Sequence, residues 1–274
     1  MQASILPARR GWRWLVEGFV IFQRRPALLC FLVLGYWLTM TVVSAIPQIG
    51  RLANLFLIPV FSVSLMNACR LIDRKERLPR QLLFSGFHRN LQALLVLGAV
   101  YALVMLLVFA VSMPPDFGLL SEATEATETT ETTETPEAPA ADGASAGEAP
   151  PPAAVSIPPL AVALLVPVSV VFSFAPVLVA WHDMPAGKSL FFSLVACLRN
   201  WRPFLLYLLA LLAITFTGVW ALLVIGALLG SGIELLVMTA VMAISLILLP
   251  IWYASFYVSY RDIFVDLQET RDAS

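Results

Sequence analysis

The chain has 274 residues, of which 59% are hydrophobic and 13% charged. So apolar a composition excludes an ordinary soluble domain and points to an integral membrane protein. A formal net charge of -1 conceals a sharp segregation: residues 9–89 carry twelve Lys or Arg and three acids, whereas the segment 114–157 carries nine acids and no Lys or Arg.

The first expected element is an amphipathic helix lying in the membrane interface. Trp12, Leu15, Val16 and Phe19 recur at i, i+3, i+4 and i+7, with Arg13, Glu17 and Arg24 on the other side. Six spanning helices follow, over Ala27–Ile46, Leu52–Cys69, Leu91–Ser112, Pro158–Trp181, Phe204–Leu229 and Leu235–Tyr260. At a rise of 1.5 Å per residue, about 20 residues cross a hydrocarbon core of roughly 30 Å. The run Ala27–Ile46 exceeds a signal-peptide h-region in length, so it is expected to be retained as a helix.

Three segments that precede odd-numbered spans resemble one another: Phe19 to Pro26, Phe84 to Asn90 and Val195 to Pro203. The even-numbered spans share a second feature, an interior proline at Pro59, Pro167 and Pro250. The expected fold is therefore all-α and membrane-integral, with six transmembrane helices arranged as three hairpins, each preceded by an interfacial amphipathic helix. Each proline removes one intrahelical hydrogen bond and leaves the carbonyl four residues earlier in need of a partner: Leu55, Ala163 or Leu246. Kinks at Pro59, Pro167 and Pro250, lined by Ser62, Ser64, Ser169, Ser173 and Ser255, either surround a small polar cavity or are satisfied by serine bonds within the same helix.

Orientation follows from the basic residues. Arg9, Arg10, Arg13, Arg24 and Arg25, the run from Arg70 to Arg89, and Lys188, Arg199 and Arg202 all fall in connections on one side. The positive-inside rule places that side, and both termini, in the cytoplasm. One transmembrane domain is expected over 1–274, with an acidic extracytoplasmic loop, 114–157, inserted between the third and fourth helices. Glu122, Glu125, Glu128, Glu131, Glu134 and Glu137 would repel one another at i, i+3 in a helix, so the loop is expected to be disordered.

Catalytic chemistry is not indicated. His88 and His182 stand outside any recognisable constellation, and Cys30, Cys69 and Cys197 form no Cys-x-x-Cys pair. No phosphate-cradling loop or zinc spacing occurs, so no enzyme activity, cofactor, metal or nucleic-acid partner is expected. Candidate contacts to anionic lipid are Arg9, Arg10, Arg13, Arg24 and Arg25 with Trp12 and Trp14.

Leu6 to Trp14 and Tyr257 to Phe264 resemble signatures of an uncharacterised six-helix family of bacterial inner-membrane proteins. More distantly, the plan is similar to the membrane domain attached to some glycerophosphodiester phosphodiesterases. The resemblance implies an inner-membrane address and fold, without a reaction to carry over. The expected function is non-enzymatic: organising or interacting with membrane lipids or envelope proteins. The alternative is a facilitator or transporter of a lipidic or weakly polar solute through the kinked interior.

Overall fold

A computed structural model describes residues 4–47, 50–79, 81–88, 90–112, 159–229 and 233–264. The acidic loop 114–157, with its expected disorder, lies outside them. The elements, all helical among the described residues, are α1 (Arg10–Arg24), α2 (Pro26–Ser44), α3 (Gly50–Asp73), a 3-10 segment (Leu82–His88), α4 (Leu91–Ser112), α5 (Pro159–Phe172), α6 (Ala175–His182), α7 (Ala186–Arg199), α8 (Trp201–Leu229) and α9 (Ile233–Ile263). Six stretches are long and apolar enough to cross a membrane, the fourth of them built from α5 and α6 together.

The chain divides into two compact units, residues 1–104 with 167–274, and residues 105–166. In the second unit, Leu106, Leu107, Phe109, Val111 and Val166 are exposed apolar side chains on the end of α4 and the start of α5. Everything below concerns the first unit.

That unit is centred on the even-numbered spans. α6 is buried around its whole circumference, from Ala175 to Trp181, as expected of an element apolar on every face. It meets α3 through Trp181, whose indole N–H donates to Asn67 Oδ1 at 2.7 Å. It meets α9 through Phe174, which stacks on Phe256 at 4.7 Å between ring centroids, and through Trp181, edge-on to Tyr260 at 5.0 Å. α9 closes the triangle, because Tyr257 O–H and the Arg261 guanidinium both donate to Asp73 at the end of α3.

The odd-numbered spans lie around this triangle. α2 touches α3 through Tyr36 and Phe61, α4 reaches α5 through Tyr101 and Phe172, and α8 joins α9 where Tyr207 O–H and Ser255 Oγ lie 2.8 Å apart. Within the most apolar stretch of each span, 56%, 39% and 28% of residues are buried in the second, fourth and sixth, against 17%, 22% and 0% in the first, third and fifth. The chain thus alternates between outer and inner helices.

Two local expectations change. The segment before the third span is a 3-10 helix, Leu82–His88, instead of an α-helix. The fourth span is broken at Ser173 and Phe174, beyond Pro167 rather than at it. Pro167 sits inside α5, and the break is instead followed by Pro176, which has no N–H to give to the Phe172 carbonyl. The Phe174 N–H set free at the break donates to Ser193 Oγ on α7 at 3.0 Å.

Candidate functional site at the basic end of the bundle

α1 begins after a turn in which Arg10 N–H donates to the Pro7 carbonyl and Gly11 N–H to that of Ala8. It stops at Arg25, which adopts φ -149° and ψ 62° because the following Pro26 disfavours a helical conformation. The helix carries three stripes. Gly11, Trp14, Leu15, Gly18, Ile21 and Phe22 are buried against the bundle. Trp12, Val16, Phe19 and Val20 are exposed, together with Arg9, Arg13 and Arg25. Arg10, Glu17 and Arg24, seven residues apart and therefore on one line, run along the edge between the two.

The apolar face expected from the sequence is accordingly split. Leu15 turns inward while Trp12, Val16 and Phe19 turn out. The reason lies in the glycines. A Cβ at Gly18 would stand 2.5 Å from the Ser255 Cα, and one at Gly11 would collide with the Pro203 carbonyl, so the helix settles by the side where its backbone can approach closest.

The middle stripe is neutralised internally. Arg10 pairs with Asp262 and lies 3.2 Å from Glu17, Arg261 reaches Glu17 at 2.8 Å and Asp73 at 2.9 Å, and Arg24 reaches Asp73 at 3.2 Å. Asp262 also accepts the Trp14 indole N–H at 2.8 Å. The hydrogen bond to Asp262 raises the Arg10 pKa above its ordinary value, so this guanidinium stays charged at any physiological pH. Three cations and three anions thereby tie both ends of the chain to the end of α3.

These contacts divide the residues singled out for lipid. Trp14 has no exposed surface, packs on Phe204 at 5.0 Å, and belongs to the core. Arg10 and Arg24 are committed to Asp262, Glu17 and Asp73. Arg9, Trp12, Arg13 and Arg25 remain exposed, and no acid lies within ion-pair distance of these three arginines among the described residues. Nothing in the linear pattern separates the two sets, since the acids involved lie up to 252 positions away.

Of the proline carbonyls, that of Leu246 finds a partner on another helix: Cys30 Sγ lies 3.5 Å from it. The serines bond back to their own helices, Ser62 to the Pro59 carbonyl, Ser173 to that of Ser169 and Ser255 to that of Trp252. Ser64 additionally accepts the Gly86 N–H at 2.9 Å, which seats the 3-10 segment on α3. Each segment that precedes an odd-numbered span thus rests on an even-numbered one: the 3-10 segment on α3, α7 on the break between α5 and α6, and α1 on α9.

The histidines have structural neighbours. His182 Nε2 is 2.6 Å from the Tyr260 hydroxyl, and His88 Nδ1 is 3.0 Å from the Phe84 carbonyl. Asp183 adopts φ 51° at the end of α6, a conformation that a short polar side chain tolerates. In α7, burial pushes the Cys197 thiol up to about 12, against a smaller opposing effect of a hydrogen bond with Ser173.

No protein-family profile matches the chain, and no solved structure does. The chain is 36% identical over 270 residues to a probable inner membrane protein of Burkholderia thailandensis, an alignment covering 96% of this chain and 94% of the relative.

Proposed function

Since the chain belongs to the same family as that probable inner membrane protein, we propose that it is a non-enzymatic protein of the bacterial inner membrane that organises or interacts with lipids at the cytoplasmic surface. The observation that carries this reading is the outward stripe of α1. Trp12, Val16, Phe19 and Val20 are 44–51% exposed, a poor arrangement in water but a good one at the boundary between acyl chains and headgroups. Arg9, Arg13 and Arg25 flank the stripe without acidic partners among the described residues, and each is worth about 1 kcal/mol against an anionic leaflet.

The positive-inside rule supports a cytoplasmic position for this end and for both termini. The parallel seating of α1, the 3-10 segment and α7 on successive even-numbered spans supports a threefold repeat of interfacial element plus hairpin. Cyclic order strengthens it, because α1, which opens the chain, rests on the last span. Around Pro59, Val60, Phe61, Val63 and Leu65 are buried, which favours a packed scaffold over a solute route there.

The test is retention of phosphatidylglycerol by purified protein at low salt. Joint substitution Arg9→Gln, Arg13→Gln and Arg25→Gln should weaken retention while leaving the topology intact, since the remaining cytoplasmic Lys and Arg still set orientation. Equal retention by variant and parent would remove the lipid role. A stoichiometric envelope protein copurifying in its place would move the reading to protein organisation. Topology has its own check: a Cys replacing Thr130 should react with a membrane-impermeant thiol reagent in intact cells.

A further inference from the structure

We infer that α7 is a second lipid-contacting element, separate from α1: it runs along the cytoplasmic face of the bilayer with Phe191 and Leu198 turned into the acyl chains. This rests on the lipid reading above. The connection that α7 occupies fixes its course. The fourth span ends at His182 and the fifth begins at Trp201, so Asp183, Met184 and Pro185 precede the helix and Asn200 alone follows it. Its 14 residues make a rod of about 21 Å. With both ends held at the membrane boundary, such a rod lies along the surface and cannot stand away from it.

One face of the helix is fixed by the protein. Ser189, Ser193, Ala196 and Cys197 are buried. Ser193 Oγ accepts the Phe174 N–H at 3.0 Å and donates to the Val170 carbonyl at 3.4 Å, which pins that face to the break in the fourth span. Phe191 and Leu198, seven residues apart and therefore on one line, stand on the opposite side, 61% and 59% exposed. A Cβ added at Gly187, on the same side, would meet nothing within 4 Å, so the chain leaves that end of the stripe open. Lys188 and Arg199, eleven residues apart, share a line at the edge of the stripe. Both are exposed, with no acid in ion-pair distance among the described residues, and the sequence holds no acid between Asp183 and Glu234. Large apolar side chains beside exposed cations match acyl chains beside anionic headgroups. The apolar surface continues into α8, where Trp201, Leu205, Leu208 and Leu209 are 47–56% exposed as the fifth span enters the bilayer. The bilayer that covers the outer face of α8 therefore also covers the stripe that leads into it, which selects lipid over a second copy of the chain as the occupant.

The test is photocrosslinking of the full chain in vesicles of phosphatidylethanolamine and phosphatidylglycerol, with p-benzoylphenylalanine placed at position 191 or 198. Both positions are exposed, so the thermal midpoint of each labelled chain should match the parent's. Irradiation should attach a phospholipid at either position, and fragmentation of the adduct should place the link on an acyl chain, as it should for the same probe at position 216 on α8. Links to headgroup atoms alone, or no lipid adduct at 191 and 198 where 216 gives one, would overturn the inference. A crosslinked dimer in place of the lipid adduct would overturn it in favour of a second copy of the chain. The probe at position 16 separates this contact from that of α1. Lipid adducts there but not on α7 would sink the second contact and leave the α1 reading standing, and adducts on α7 alone would do the reverse.

Discussion

The inner and outer spans differ in a direction opposite to that of a soluble protein. Each outer span is more apolar than the inner span that follows it, yet the inner ones are the buried ones. In water the apolar surface is driven inward; in a bilayer the acyl chains are as apolar as leucine, so nothing drives Leu209 or Phe216 off the surface, and what is selected for the interior is shape and hydrogen bonding. The inner helices accordingly carry Ser64, Asn67, Ser255 and Ser259, which bond to backbone or to neighbouring helices. They also carry the prolines, whose freed carbonyls need partners that lipid cannot offer; Cys30 serves Leu246 in this way. An inner position is thus one where a polar group or a tight backbone approach must be accommodated, and an outer position is one where only apolarity is required.

The comparison is tested hardest where α1 meets an inner span. Gly18→Leu places a side chain against the Ser255 backbone, where not even a methyl fits, and overpacking of this kind costs about 1–3 kcal/mol or more. We expect a large fall in thermal midpoint in detergent and reduced accumulation in the membrane. A variant as stable as the parent would mean that α1 does not hold its seat on α9. Next comes Asp262→Ala, which strands the buried Trp14 indole N–H and leaves the Arg10 guanidinium with Glu17 as its acidic partner. Asp262 is 10% exposed at its side chain, and leaving such donors unsatisfied costs about 1–3 kcal/mol. Trp14 fluorescence should broaden or shift with the loss, and a spectrum identical to the parent's would show that Asp262 does not hold the indole.

A third expectation concerns chemistry at an inner contact. The Cys197 thiol, raised by burial from 9.0 to about 12, is protonated at neutral pH in the folded chain. Alkylation should therefore stay slow in the folded protein through pH 9, where the unfolded chain already forms thiolate, and become fast only on denaturation. The same difference makes ionisation of this thiol favour the unfolded state as pH rises above 9.0. Rapid labelling of Cys197 at pH 7.5 would place α7 away from the bundle.

What the sequence showed, and what it did not, follows the same division. The six spans were legible because apolarity over about 20 residues is a property of the segment alone. The stripe of α1 that faces the protein was not, because two apolar stripes, one holding Leu15 and the other Trp12, fit the same period, and the choice rests on the room that Gly11 and Gly18 leave for a distant backbone. The break at Ser173 and Phe174 was not legible, since a proline such as Pro167 signals a missing bond without saying whether a helix bends or stops, and Pro167 itself lies inside α5. For the candidate site, residue types were legible but their commitments were not. Arg9 and Arg10 are adjacent and alike in sequence, and only the packing of α9 beside α1 gives one of them Asp262 and leaves the other exposed.

The smallest expected effect is the one that separates inner from outer most cleanly. Leu209 and Phe216 on α8 are 55% and 70% exposed, and none of the residues in the most apolar stretch of that helix is buried. Leu209→Ala and Phe216→Ala each trade apolar contact with lipid or detergent for a smaller apolar contact, without opening a cavity inside the protein. The cavity cost that makes buried Leu→Ala or Phe→Ala worth about 2–5 kcal/mol is absent, and a change within about 0.5 kcal/mol is expected. The matched inner substitution is Leu178→Ala on α6, a residue with no exposed surface, which should fall in the larger range. Both are measured as shifts in thermal midpoint in the same detergent. If Phe216→Ala proves as damaging as Leu178→Ala, α8 is covered by protein in the membrane and must be counted with the inner helices.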